Sequence, residues 1–215
     1  MYSPSFLKFT ETRLVKKYCV AVVFDLEYTA WEGSLARSWS GDSEDPEIIQ
    51  IGAIELLLEN NSLCFGREFN RFVRPTLRPK LSDYITGLTK IPQETIDQKG
   101  LPFDEALQEF FGFVPKNASI CSNGDDWSFL SENCRINNLE NPFTKSRFVN
   151  LRPVFAKHRG LSEDSEMLHS YRLSASPQAI AQTHTNLSHD ALADAKEIAA
   201  QMIRIGASKL PFGSK

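Results

Sequence analysis

Cysteine is scarce in this chain and scattered along it. Four occur among 215 residues, at Cys19, Cys64, Cys121 and Cys134. None forms a C-x-x-C pair, and none has paired spacing with the histidines at 158, 169, 184 and 189. Disulfide staples and zinc knuckles are thereby disfavoured. Cys19 and Cys121 sit in apolar runs and read as reduced, buried thiols of a cytoplasmic protein. Long hydrophobic runs are missing as well. The run from Tyr18 to Phe24 is too short for the apolar stretch of a secretory signal or for a membrane span, so a soluble chain with no membrane partner is expected. A surplus of positive charge is also absent: 24 Lys and Arg face 27 Asp and Glu, for a formal net charge of -3. Internal repeats and low-complexity tracts are lacking too.

What is present suits one well-packed domain. Hydrophobic residues make up 41% of the chain and charged residues 24%, and the length is short for two domains. Residues 18–26 read as a nearly continuous apolar strand, covered on both faces. A Gly, Ser and charge-rich loop follows from Glu32 to Asp45. Strands are expected over 47–58 and 68–73, with a turn near Asn60 and Asn61. Helices are expected over 81–89, 92–96 and 102–113, a strand over 119–122, and a helix from Asp126 to Asn137. A fifth strand over 147–151 and helices over 153–158, 178–182 and 191–205 complete the pattern. A strand meander followed by strands alternating with helices implies an α/β domain with a mixed sheet.

Three local patterns carry the chemistry. In CVAVVFDLEYT, Asp25 and Glu27 end the first core strand. Residues two apart on a strand share a face with Cα atoms about 6.5–7 Å apart, so both carboxylates can converge on hard cations. A lone D-x-E more often marks a solvated strand end. In CSNGDDWSFL, Asp126 precedes apolar residues at Trp127, Phe129 and Leu130 that anchor the helix it opens. An aspartate there also serves as an ordinary helix cap, and Asp125 is its rival for any metal role. In HDALADA, His189 and Asp194 are five apart, which on one continuous helix turns them about 140° from each other. They can face one site only if His189 lies in the loop just ahead of the helix, with Ser188 or Asp190 starting it. Two divalent cations on four such carboxylates would move the formal charge by +4, from -3 to +1. A mildly acidic sequence is therefore compatible with a polyanionic substrate.

With these motifs in this order, the chain resembles the DEDDh 3'-5' exonucleases of the RNase H-like superfamily. Within them it is most similar to the enhanced-RNAi-type branch and its bacterial inhibitor-of-KinA-pathway relatives. The likeness extends through EIIQIGAIEL, FVRPTLRPKLSDYITGLTKI and FDEALQEFFGF and covers roughly residues 18–205. Residues 1–17 and 206–215 are then terminal extensions. The resemblance implies a single RNase H-like domain, a mixed five-stranded sheet flanked by helices. It implies that Asp25, Glu27 and Asp194 hold one of two Mg2+ or Mn2+ ions, that Asp25 bridges to the second, and that Asp126 holds the second directly or through water. His189 takes the role of general base and, with Glu27, is counted as catalytic; no organic cofactor is implied. Position 190 is Asp where the sister subclass has Tyr. Relatives often place one more residue between the glycine and the third acidic residue than Gly124 to Asp126 provides.

The implied reaction is metal-dependent release of nucleoside 5'-monophosphates from single-stranded 3' ends, RNA ahead of DNA. Two other readings stand beside it: a non-catalytic binding or regulatory module on the same fold, and a phosphoesterase acting on dinucleotides. Tyr28, Trp31 and Trp39 are placed either to stack on bases or to pack the core and loop, and the 32–45 loop is expected as a lip over the substrate. Basic residues at Arg71, Arg74, Arg78 and Lys80, and at Lys145, Arg147, Arg152, Lys157 and Arg159, either track phosphates or form solvated surface. No appended RNA-binding domain is expected.

Overall fold

Among the described residues every strand joins one sheet. The computed structural model describes residues 17–165, 168 and 189–211; the helix expected over 178–182 and the histidines at 169 and 184 lie outside them. The strands are β1 (Tyr18–Tyr28), β2 (Ile48–Glu59), β3 (Ser62–Phe72), β4 (Ser119–Ser122) and β5 (Phe148–Asn150). The helices are α1 (Asp83–Thr89), α2 (Gln93–Lys99), α3 (Phe103–Phe113), α4 (Asp126–Ile136), α5 (Arg152–Arg159) and α6 (Ala191–Ile205). The sheet order is β3-β2-β1-β4-β5. Its first three strands pair antiparallel, while β4 and β5 continue parallel to β1. This is the mixed five-stranded α/β sheet that the resemblance implies.

β3 begins at Ser62, well before the apolar segment that marks it in the sequence. The hairpin explains the difference. Asn60 and Asn61 have φ of 50° and 62°, the left-handed pair that a two-residue type I′ turn requires. Glu59 therefore pairs with Ser62 immediately after the turn, whatever the side chains that follow. α2 likewise runs on to Lys99, where the Gly100 N–H closes the last turn on the Ile96 carbonyl.

β1 is buried on both sides because each face meets a different helical layer. Val22, Phe24 and Leu26 pack with Phe103, Leu107 and Phe110 of α3 and with Leu130 of α4. Ala21 and Val23 pack with Phe155 of α5 and with Ala195, Ile198 and Met202 of α6. Burying each of the larger side chains contributes about 1.5–3 kcal/mol. The alternation has a consequence for chemistry. Asp25 and Glu27 continue the odd-numbered face, so they emerge where α6 crosses the end of β1. The packing also runs past residue 205, since Leu210 is buried in the α6 layer. Among the described residues no helix is long and apolar enough to cross a membrane.

Candidate active site

Two strand positions decide how α6 meets the sheet. Gly52 of β2 lies opposite Asp25, and Gln50 lies opposite Glu27. A Cβ at Gly52 would stand 2.1 Å from the carbonyl carbon of Ala191 and from the backbone nitrogen of Leu192, so only glycine lets the helix rest its first turn on the strand. Beside it, Gln50 accepts the Ala191 N–H at 3.1 Å and donates to Asp190 at 3.1 Å. Sequence reasoning missed both residues. The available signals were a glycine and a polar amide inside the otherwise apolar run IIQIGAI.

Asp190 caps α6, its carboxylate accepting the Ala193 N–H at 2.9 Å. His189 lies just outside the helix, with φ of 76°. This break removes the 140° separation expected of a continuous helix. The His189 N–H donates to Asp194 Oδ2 at 2.9 Å, and the two residues face the same space. Ligand atoms of Glu27, His189 and Asp194 all lie within 4.8 Å of one another.

Asp25 and Asp126 stand outside that 4.8 Å group but act on it and its surroundings. Asp25 is buried on β1; burial first, and then the charges of Asp126, Asp25 and Glu27, raise the Tyr28 hydroxyl above its usual range. Asp126 is the first residue of α4, half-buried, and its charge helps raise Glu27. Asp125 occupies the cap position, is exposed, and accepts the Ser128 hydroxyl at 2.6 Å. The geometry thus separates a cap residue, Asp125, from an inward-acting one, Asp126.

The electrostatics are those of crowded, dehydrated acids. Burial, then the charges of Asp194, Asp190 and Asp126, pushes Glu27 well above the carboxylate range. Burial raises Asp194 to about 7, partly offset by the His189 N–H bond, with Asp190 and Glu197 adding to the rise. Asp126 is raised to about 6, again chiefly by burial, while a hydrogen bond with Ser122 opposes the shift. Burial moves His189 the other way, below the ordinary imidazole value. Among the described residues neither Glu27 nor Asp194 has a lysine or arginine partner; the ion pairs lie elsewhere, at Arg67–Glu55 and Lys196–Glu68 for example. Hard oxygen donors crowded without a counter-ion fit divalent cations of the Mg2+ class.

The flanking aromatics are used for packing. Tyr28 stacks on Phe129 with centroids 4.3 Å apart, and Trp39 meets both rings edge-on while its indole donates to the Thr29 carbonyl at 3.0 Å. The 32–45 loop is thereby fastened beside the site. It also lines a cavity of ≈ 530 Å³ with Pro46, Phe129 and Glu132, into which none of the site carboxylates projects. Several of the basic residues singled out are engaged within the chain. Arg71 pairs with Glu109, Arg78 with Asp45, and Arg147 donates to the Pro115 and Ala118 carbonyls.

Comparison with known proteins gives the family and the fold. The family model described as Exonuclease matches residues 22–202. The chain is 24% identical to the 3'-5' exonuclease Snipper of Drosophila melanogaster over 90% of its own length and 72% of that protein. It is 35% identical to the 3'-5' exonuclease eri1 of Schizosaccharomyces pombe over 46% of its length, spanning 30% of that relative. Among solved structures, the nuclease domain of 3'hExo, a DEDDh family member bound to rAMP, superposes with a TM-score of 0.69 at 21% identity. That match covers 90% of this chain and 92% of the other, and at such identity it is a likeness of fold. The chain therefore belongs to the exonuclease family, and the relatives it is similar to are 3'-5' exonucleases, ERI1-type enzymes among them.

Proposed function

We propose that this protein removes nucleoside 5'-monophosphates one at a time from single-stranded 3' ends, RNA ahead of DNA, by a two-metal-ion reaction. The observation that carries the reading is the meeting of Glu27, His189 and Asp194 within 4.8 Å at the end of β1. Support for the substrate comes from the rAMP bound by the 3'hExo nuclease domain. The catalytic unit in this reading is residues 18–205, with 1–17 and 206–215 as extensions, acting in the cytoplasm.

Asp25, Glu27, Asp126 and Asp194 would hold two ions, Mg2+ or Mn2+, which supply the positive charge that an in-line displacement at phosphorus requires. The residues themselves do the rest. His189, kept neutral near pH 7 by burial, accepts the proton of the attacking water. Its backbone N–H on Asp194 ties the base to a metal-binding carboxylate. Asp190 stays at the helix cap, where its charge keeps Glu27 and Asp194 hungry for a cation.

The test is a length-resolving gel with 5'-labelled single-stranded RNA and matched DNA, in magnesium, manganese or EDTA. A metal-dependent ladder shortening from the 3' end, abolished in folded His189→Ala and Asp25→Asn, is the expected result. Full activity in either variant breaks the assignment of the site. Cleavage of dinucleotides alone, or metal binding without hydrolysis, replaces the reading with the phosphoesterase or the binding module.

A further inference from the structure

Gln50 is fully buried on the sheet face that carries Glu27, and its amide is used up by three hydrogen bonds to two other elements. Its Nε2 donates to Asn70 Oδ1 on β3 at 3.0 Å and to Asp190 Oδ2 at 3.1 Å, while its Oε1 accepts the Ala191 N–H at 3.1 Å. A buried amide so engaged cannot rotate without leaving partners unsatisfied. The apolar face of α6 is held further along, by Ala195, Ile198 and Met202. Gln50 holds only the start of the helix.

That start is where the geometry is under stress. Asp190 divides its carboxylate, Oδ1 capping the helix and Oδ2 meeting Gln50. His189, the next residue back, has φ of 76°, a backbone region that disfavours a side chain by about 1–2 kcal/mol. Left alone, that residue would relax toward ordinary backbone angles and carry its N–H away from Asp194. We propose that Gln50 is a positioning residue for the site: through Asp190 and Ala191 it pins the entry to α6, so that His189 and Asp194 stay turned toward Glu27. The inference rests on the exonuclease reading for its kinetic consequence; the conformational part is measurable without it.

Three substitutions test it. Gln50→Leu keeps the volume and removes all three bonds. Asp190→Ser keeps a helix cap but has no second oxygen for Gln50, and it serves if Gln50→Leu does not fold. Gln93→Leu is the control, because Gln93 is likewise triply bonded, to the Leu81 N–H, the Pro79 carbonyl and Asp97, far along the chain from the site. The readouts are kcat and KM on single-stranded RNA, the thermal midpoint, and hydrogen exchange at the His189 N–H in metal-free protein. Gln50→Leu and Asp190→Ser are expected to lower kcat about tenfold or more with KM nearly constant, and to speed His189 exchange by a similar factor. Gln93→Leu should lower the midpoint while leaving kcat and His189 exchange as they were. Unchanged His189 exchange in Asp190→Ser, or a kcat loss in Gln93→Leu matching its loss of stability, overturns the proposal. If the wild-type protein cleaves nothing while His189 exchange still responds as expected, the positioning role stands and the exonuclease reading fails.

Discussion

Replacing Gly52 by alanine should separate the chemistry of this protein from its fold. The added methyl would sit 2.1 Å from backbone atoms of Ala191 and Leu192, and ordinary contact begins at 3.4 Å, so α6 must recede by about 1.3 Å. Backbone cannot rotate away as a side-chain tip can. The displaced segment is the one that carries His189 and Asp194, while Asp25 and Glu27 stay on the sheet. A misplacement of about 1 Å in a catalytic group is enough to lose about 100-fold in rate. Overpacking at such a contact costs about 1–3 kcal/mol, which in a domain of this size lowers the thermal midpoint by about 2–4 °C per kcal/mol. Circular dichroism melting and the oligonucleotide ladder assay measure the two effects on one preparation. The expected result is a folded protein with a modestly lowered midpoint and a rate down by about two orders of magnitude. A Gly52→Ala protein with wild-type turnover would show that α6 need not be seated on β2 for catalysis and would refute the reasoning.

The raised carboxylates make a second, pH-dependent prediction. Asp194 near 7 and Asp126 near 6 bind protons more tightly folded than unfolded. Metal-free protein should therefore lose stability as pH rises from about 4 to about 7, the window between the unfolded and folded values of the two carboxyls. Chemical denaturation in EDTA across that range checks it, and a stability that rises with pH there would contradict the site's electrostatics. Added magnesium should restore stability mainly at the high-pH end, where the carboxylates are free of protons. A third prediction concerns Glu47, a buried carboxylate that accepts the backbone N–H groups of Thr76, Leu77 and Arg78 at 2.6, 2.9 and 2.6 Å. Glu47→Ala leaves those donors unpaired and should destabilise the fold by about 3–5 kcal/mol in a urea melt. A loss under about 1 kcal/mol would mean that water replaces the carboxylate freely.

Most of the fold was legible because its signals are local. The apolar run ending at Phe24, the Asn60-Asn61 turn and the periodic face of 191–205 each point to one element without reference to the others. β3 was partly missed because pairing after a tight turn, and not side-chain pattern, sets where a strand begins. Of the candidate site, motifs pointed to five acidic and imidazole positions, of which the structure groups Glu27, His189 and Asp194, and the loop placement of His189 followed from helical geometry. Gln50 and Gly52 carry no such signal. A glutamine in an apolar strand has several ordinary meanings, and nothing local says that a helix more than 130 residues later will land on it.

By itself the sequence determined the kinds of group that would be present and the faces they would leave from. Strand alternation put Asp25 and Glu27 on one side of β1, and the break before the last helix put His189 ahead of Asp194. Only the tertiary structure decided that Glu27, His189 and Asp194 meet. It did so through the contact of α6 with Gly52, which brings segments far apart in the chain to backbone van der Waals distance. It also raised the pKa of the site's carboxyls, since burial is a property of the packed domain. The same carboxylates on an open chain would be ordinary acids.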